Sequence, residues 1–453
     1  MSSCGSACQS HCSRSDEAQD SNEGDSRISN LSIASEPPKA DGLPALCSKC
    51  GVSVRVYSGM CADCFRAHIF GKFKLAVTNN ALISPSDKLL VAFSGGPVSR
   101  VALQFVHELQ YKAFNSWVAS KSQALPVFGV GVAFIDERVF SHHPSCEVDN
   151  AIEEIKLIVS ELTPVQKELH ILSIESLCSL GPNDGKSGLN HLLETISDST
   201  GRDDFLHYLR MLSLQKIALD FGYNKLVLGS CTSTIARHII SATVKGQGYS
   251  LPADLQYIDA RWEIPVVLPL RDCLGQELSM VCHLDGLKTQ KVLDRPHVGI
   301  NALVSSFIAR LQHENPSRES TILRTAEKLK PFHFNKFSKN GYHDFLPSRL
   351  RCKFQNVKDD SSTTEVLCPI CGSPLDESDL QSLKTIQLKS QESLNNFISQ
   401  CCQSCHFQIL PKNEVPLVHF YSLLPQSFTR RVEISSLRDQ IKDCLISDDD
   451  DTS

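Results

Sequence analysis

Short apolar runs and amphipathic segments alternate along the middle of the chain, and this pattern predicts a regular fold. Buried strands are predicted where apolar residues are continuous, at 89–93, 127–135, 169–174, 225–228 and 264–268. Helices are predicted where apolar residues recur at helical spacing, at 101–109, 150–162 and 204–221. The polar stretch 179–201 predicts a long loop. Together these elements predict an α/β fold, with a doubly wound parallel sheet covered by helices on both faces.

The two ends of the chain are polar. Residues 1–46 are rich in Ser, Asp and Glu and lack aromatic residues, so they bury too little apolar surface to offset the entropy of ordering. We expect a disordered arm there, with free thiols at Cys4, Cys8 and Cys12, and a loose acidic tail at 429–453. Between them we expect a zinc ribbon at 47–74, the α/β domain at 75–325, a basic and aromatic linker at 326–365 and a second zinc-binding module at 366–428.

The composition narrows the class of protein. A chain of 453 residues with 41% hydrophobic residues is long enough for two or three domains. Its formal net charge of -6 argues against binding nucleic acid over its whole surface. The most apolar run, 127–135, is too short to cross a bilayer, and the N-terminus lacks the apolar core of a secretion signal. We therefore expect a soluble cytoplasmic protein that has no membrane partner.

Several of the nineteen cysteines form C-x-x-C pairs, which in a chain without a secretion signal are typical of metal binding in a reducing compartment. The first cluster has two such pairs within eighteen residues, made of Cys47, Cys50, Cys61 and Cys64. Each pair offers two thiolates, and zinc suits four sulfur ligands in a tetrahedron. We expect one structural zinc ion here; the alternative is four unpaired thiols.

A second cluster lies near the C-terminus, where two more pairs are separated by thirty residues. Its members are Cys368, Cys371, Cys402 and Cys405. The glycine that follows the second cysteine lets the backbone turn so that amides face sulfur, and we expect a second structural zinc ion. The long gap and the neighbouring Cys401 leave open a different ligand set, a redox pair or an iron–sulfur cluster.

A glycine-rich loop follows the first predicted strand, in the string Ser94-Gly95-Gly96-Pro97-Val98-Ser99. Glycines between a strand and a helix are typical of a phosphate-binding loop. Pro97 and Val98 stand where a working nucleotide site would carry charge, and Pro97 also lacks a backbone donor. Since proline is accommodated in the first turn of a helix, we expect the loop to keep its fold. The alternative is a glycine turn that binds no ligand.

This string resembles the pyrophosphate loop of the PP-loop ATPases, whose motif is S-G-G-x-D-S. Four residues match the motif, and the resemblance assigns them to a degenerate nucleotide site: Ser94, Gly95, Gly96 and Ser99. Val98 replaces the acid of the motif, and Pro97 replaces the lysine that the thiouridylase branch favours. The resemblance implies a PP-loop α/β fold whose nucleotide site is weak or absent.

Within that family the chain is similar to the tRNA 2-thiolation branch. Members of the branch carry a double C-x-x-C knuckle, the glycine loop downstream of it and a G-x-x-x-D-D string after a later strand. The knuckle and the loop are present in this chain, but Ser233 and Thr234 stand where the two acids would be. The cysteines of the active branch are also missing, because 201–219 contains none and neither Cys273 nor Cys282 is aligned.

The resemblance covers residues 47–425 and implies a non-catalytic subunit that contributes no catalytic residue. It implies a heterodimer with a catalytic paralogue, which binds ATP and adenylates the C2 oxygen of wobble uridine 34. Sulfur would come from a thiocarboxylated ubiquitin-like carrier, and the substrates would be the tRNAs for Lys, Glu and Gln. Two alternatives stay open: an active ATP-dependent tRNA thiouridylase, and a zinc-ribbon adaptor for nucleic acid or protein that has no role in thiolation.

Basic residues interleave with aromatic residues in the predicted linker. The candidates for contact with tRNA are Lys336, Lys339, Arg349, Arg351 and Lys353. Basic side chains neutralise phosphates and exposed aromatic rings stack on bases, so this segment suits RNA. The alternative is a solvated linker that packs its aromatic residues inward.

Overall fold

The computed structural model describes residues 45–120, 126–140, 143–178, 185–290, 297–330, 366–375 and 392–432. At the centre of these residues is a sheet with the strand order β3-β2-β1-β4-β6-β5. The strands are β1 (Lys88–Ala92), β2 (Gly129–Asp136), β3 (Glu168–Ser173), β4 (Lys225–Val227), β5 (Ile258–Asp259) and β6 (Val266–Val267). Neighbouring strands are parallel except at one edge, where β5 runs antiparallel to β6.

Helices connect and cover the strands. The α-helices up to residue 330 are α1 (Ala62–Asn79), α2 (Pro97–Ala119), α3 (Ser145–Ser160), α4 (Gly185–Thr195), α5 (Ser199–Asp220), α6 (Thr232–Val244), α7 (Leu251–Asp254), α8 (Gly275–Leu284), α9 (Gly299–Glu314) and α10 (Ser317–Ala326). Nearer the C-terminus lie α11 (Glu392–Ser399), α12 (Gln403–Gln408) and α13 (Glu414–Leu423). Short 3-10 helices occur at Arg138–Phe140, Ile174–Leu177 and Gly248–Ser250.

Alternate residues of the central strands enter two different cores. Leu89 and Val91 of β1 pack with residues of α1, α2, α3 and α8, whereas Leu90 packs with residues of α5, α6 and α10. Because side chains alternate along a strand, each face of the sheet receives its own layer of helices. This arrangement confirms the predicted parallel sheet with helices on both faces.

The predicted loop at 179–201 is wrong over much of its length. Helix α4 occupies Gly185–Thr195, and α5 begins at Ser199. Leu189, Leu192 and Ile196 are fully buried, and their spacing places them on one face of a helical segment. Packing of these apolar residues outweighs the glycines and polar residues that indicated a loop.

The C-terminal segment packs onto α4 and α5 and shares a core with them. Phe205 of α5 stacks on Phe428, with ring centroids 5.4 Å apart, and it also contacts Phe420 of α13. Cys368 and Cys402 are buried in the same core. Arg261, which follows β5, donates to the carbonyl oxygen of Gly372 at 3.2 Å. The second cysteine cluster is therefore joined to the sheet by apolar packing and by a hydrogen bond.

Candidate functional site

The chain connections reverse direction between β1 and β4, which pair in parallel at the centre of the sheet. In open parallel sheets, ligands bind at such a reversal, in the crevice outside the carboxyl ends of the strands. Residues 94–96 follow β1 at this edge. A Cβ atom added at Gly229, just after β4, would lie 3.0 Å from the Cα atom of Ser99. The two loops are therefore in close contact, at the position where this fold class binds ligands.

The backbone of the glycine loop has the expected strand–turn–helix form. Gly95 has a φ of +86°, which a residue with a side chain adopts only with strain. Gly96 is the N-cap residue of α2, and Pro97 is the first residue of that helix. The fixed φ of proline suits this position, so the substitution leaves the loop fold intact while it removes one backbone donor.

The serines of the loop use their hydroxyl groups within the loop itself. The Oγ atoms of Ser94 and Ser99 are 3.1 Å apart and hydrogen-bonded. Ser99 Oγ also donates to the carbonyl oxygen of Gly96 at 3.0 Å and accepts a hydrogen bond from the backbone N–H of Ser94. Both hydroxyls that match the motif therefore stabilise the turn.

Gln290, which follows α8, lies against the glycine loop and was not expected from the sequence. Its backbone N–H donates to the carbonyl oxygen of Gly95 at 2.9 Å. A Cβ atom at Gly95 would approach the Cβ atom of Gln290 to 3.1 Å, and the side-chain amide of Gln290 bonds to the carboxylate of Glu154 in α3. Gln290 thus covers one side of the loop. It is far from Gly95 in sequence, so no local pattern indicates this contact.

The two loops offer little for nucleotide chemistry. Residues 94–99 and 229–234 contain no charged side chain, so these stretches supply neither a cation for phosphate nor a carboxylate for a metal ion or a proton. Cys231 is the N-cap residue of α6 and is buried, with its Sγ atom 3.5 Å from Thr234 Oγ1. Burial raises the pKa of the nearby Cys273 thiol to about 12, which disfavours the reactive thiolate.

The first cysteine cluster has the geometry of a tetrahedral metal site. The four sulfur atoms of Cys47, Cys50, Cys61 and Cys64 lie within 4.8 Å of one another. The Sγ atoms of Cys50 and Cys61 are 3.8 Å apart, which matches the spacing of about 3.8 Å set by zinc–sulfur bonds of about 2.3 Å in a tetrahedron. Backbone N–H groups of Cys50 and Cys61 lower the pKa of the Cys47 thiol to about 6 and so favour the thiolate that binds metal.

The second cluster has the same geometry in a more buried setting. The sulfur atoms of Cys368, Cys371, Cys402 and Cys405 also lie within 4.8 Å of one another. Cys368 and Cys405 are 3.8 Å apart, and Cys371 and Cys402 are 3.6 Å apart, between Sγ atoms. Burial opposes ionisation of Cys368, but hydrogen bonds from the neighbouring thiols bring its pKa well below the usual range. Both clusters could hold a metal ion, and four sulfur ligands at this spacing fit zinc.

Cys401 hydrogen-bonds to the thiol of Cys368 but is not one of the four sulfur atoms that converge. Its buried Sγ atom donates to the carbonyl oxygen of Phe397 at 3.3 Å, one turn earlier in the chain. The four sulfur atoms that converge are therefore those of the two C-x-x-C pairs. Four protein ligands leave no open coordination position, which is typical of a structural site.

Several predicted features lie outside the described residues. They include the candidates for tRNA contact, Lys336, Lys339, Arg349, Arg351 and Lys353, and the cysteines of the N-terminal arm, Cys4, Cys8 and Cys12. Most of the predicted arm, most of the predicted linker and most of the predicted tail also lie outside them.

Comparison with known proteins decides the family. Residues 299–407 match the sequence family described as cytoplasmic tRNA 2-thiolation protein 2. A protein of that name from Oryza sativa subsp. indica is 58% identical over 416 residues, which cover 89% of this chain and 90% of the relative. The protein of that name from Arabidopsis thaliana is 50% identical over 423 residues, covering 90% and 92%. The chain belongs to this family. A more distant member from Xenopus laevis is 24% identical and covers 81% of the chain.

Solved structures to which this chain is similar include the U34-tRNA thiolase NcsA from Methanococcus maripaludis, solved with its [4Fe-4S] cluster. The TM-score is 0.49 and the identity 18%, over 73% of this chain and 96% of that chain. An NMN synthetase from Francisella tularensis has a TM-score of 0.32. Among the described residues, no helix is both long and apolar enough to span a membrane.

Proposed function

We propose that this chain is the non-catalytic subunit of a complex that 2-thiolates wobble uridine 34 in the tRNAs for Lys, Glu and Gln. Identity of 58% and 50% to family members over most of the chain supports the role in tRNA 2-thiolation. The observation that supports a non-catalytic role is the crevice at the carboxyl ends of β1 and β4. It keeps the PP-loop backbone, but neither of its loops carries a charged side chain.

In this proposal a catalytic paralogue performs the chemistry. Adenylation of the C2 oxygen of uridine needs positive charge on the phosphates, and transfer of sulfur needs a reactive thiolate or a cluster. The paralogue binds ATP and accepts sulfur from a thiocarboxylated ubiquitin-like carrier. The chain described here pairs with it in the cytoplasm and contributes its folded surface. Its basic linker, including Lys336 and Arg349, contacts tRNA phosphates.

The two cysteine clusters have a structural role in this proposal. Each binds one zinc ion through four thiolates, and binding of the ion stabilises the fold of the residues around it. The ion has no exchangeable position for substrate, so it does not take part in the sulfur transfer.

A cell strain that lacks the chain tests the proposal. Thiolated tRNA migrates more slowly in a gel that contains mercury, and we expect this shifted band to disappear on deletion and to return with the wild-type chain. The Cys231→Ala variant should restore the band as well as the wild type does. Cys231 is buried, and its loop supplies no base to activate it.

Two results would contradict the proposal in different ways. If the shifted band persists in the deletion strain, the adaptor alternative without a thiolation role is favoured. If Cys231→Ala loses the band at an unchanged protein level, the chain itself carries sulfur and the active-enzyme alternative gains support.

A further inference from the structure

Helix α10 lies across α6 at the carboxyl edge of β4, next to the first turn of α6, which carries Ser233. Its buried residues Leu323 and Ala326 share a core with Ile235 and Ile239 of α6. Helix α6 begins at Thr232, so the start of this helix holds the two positions where the active branch carries acids. The packing brings α10 to the place in the fold where that acid pair would stand.

The first turn of α10 delivers a carboxyl group to this position. Glu319 is 1% exposed, and its Oε2 atom accepts a hydrogen bond from Ser233 Oγ at 2.5 Å. Ser233 Oγ in turn accepts from the backbone N–H of Gly275, the first residue of α8, at 2.9 Å. Ser233 therefore connects α6, α8 and α10. Burial raises the pKa of Glu319, and Ser233 and Arg237 oppose this shift.

A second polar contact fixes the far end of the same helix. The carboxylate of Glu327, the residue after α10, pairs with the guanidinium of Arg271 at 2.6 Å. Arg271 is almost fully buried, and its Nε atom donates to the carbonyl oxygen of Leu255 at 2.5 Å. Helix α10 is thus held at both ends as well as through its apolar face.

We propose that Glu319 occupies the side of the crevice formed by the start of α6, where the active branch carries its two acids. We also propose that serine at position 233 is what allows α10 to pack there. The inference rests on the proposed function, because it takes position 233 to be one of the two that carry acids in active relatives. An aspartate at 233 would bring a second carboxylate to the buried Glu319. Two carboxylates at hydrogen-bond distance do not both ionise in such a place, so either a proton must bind or α10 must move away.

Substitutions at these two positions test the proposal in the full-length chain. We expect Ser233→Asp to speed hydrogen exchange of the α10 amides by about tenfold or more, since two buried carboxylates at hydrogen-bond distance oppose the packing of α10 on α6. Ser233→Asn is the matched control because asparagine has the size of aspartate without its charge. It should speed hydrogen exchange of the α10 amides much less. Adding Glu319→Gln to Ser233→Asp removes one of the two charges and should restore most of the protection.

The proposal is overturned if Ser233→Asp leaves α10 exchange unchanged, or if Ser233→Asn speeds it equally. It is also overturned if Glu319→Gln fails to suppress the effect of Ser233→Asp. All of these readouts concern the isolated chain, whereas the proposed function is tested by thiolated tRNA in cells. Failure of one is therefore distinguishable from failure of the other.

Discussion

Cys401 and Cys402 are adjacent in sequence, but one packs in the core and the other belongs to a candidate metal site. Cys401 and Cys402 are both buried, yet only the sulfur of Cys402 converges with the other three thiols. Cys402 is the N-cap residue of α12, and its Sγ atom accepts from the backbone N–H of Cys405. Cys401 instead donates to a carbonyl oxygen of the preceding helix. The direction of each side chain, set by the backbone at the start of α12, decides its role.

We therefore predict that Cys402→Ala lowers the metal content by one ion per chain, whereas Cys401→Ala leaves it unchanged. Loss of one of four thiolates removes a ligand that holds the ion, while loss of a packing thiol leaves the ligand set complete. Plasma emission spectrometry of the purified variants measures zinc per chain. Equal loss of zinc in both variants would show that Cys401 belongs to the ligand set.

At the scale of elements, the start of α5 and the end of α12 are in unusually close contact. A Cβ atom at Gly201 would lie 1.9 Å from the carbonyl oxygen of Gln408 and 2.7 Å from its carbonyl carbon. Both of these atoms belong to backbone, which cannot rotate away. Glycine at 201 therefore allows the C-terminal segment to approach α5 closely.

We predict that Gly201→Ala destabilises the chain by about 2 kcal/mol or more, because the added methyl group forces the two elements apart. The control is Gly71→Ala in α1, where a Cβ atom meets nothing within 4 Å. That change should stabilise the chain by about 0.5–1 kcal/mol, since alanine loses less backbone entropy in a helix. Urea unfolding of both variants measures the difference. A Gly201→Ala variant as stable as the wild type would mean that the C-terminal segment does not dock as described.

At the scale of the whole molecule, the two cysteine clusters are connected to the core in different ways. Cys368, Cys402 and Cys405 lie inside the apolar core that includes α4 and α5. The first cluster lies at the start of α1, whose apolar face packs into the core of the sheet through residues such as Phe65 and Phe73. Helix α1 is thus held by contacts that do not involve the thiols.

We predict that loss of the second site weakens the whole chain, whereas loss of the first is local. The variant Cys368→Ser with Cys371→Ser should lower the free energy of unfolding by about 3 kcal/mol or more and speed hydrogen exchange in α4 and α5. The variant Cys47→Ser with Cys50→Ser should expose amides of residues 46–60 while α1 stays protected. Equal global destabilisation by both variants would contradict this difference.

The sequence by itself determined the features that depend on local spacing. Apolar runs located β1, β2, β3, β4 and β6, and the spacing within the C-x-x-C pairs identified both sets of four thiols. The glycine string located the loop at the carboxyl end of β1. These features are set by neighbours within a few residues, because a strand, a helix turn and a cysteine knuckle each have a fixed local geometry.

The tertiary structure decided what lies against those features. Gln290 on Gly95, Glu319 on Ser233 and Gln408 on Gly201 all join residues that are far apart in sequence. Helix α4 formed within a stretch of polar and glycine residues because its leucines are buried against other elements. No local pattern reports such contacts, since the partners are far apart in sequence and only tertiary packing brings them together. For this reason the sequence indicated a degenerate site, but only the fold brought Gln290 and Glu319 to its two loops.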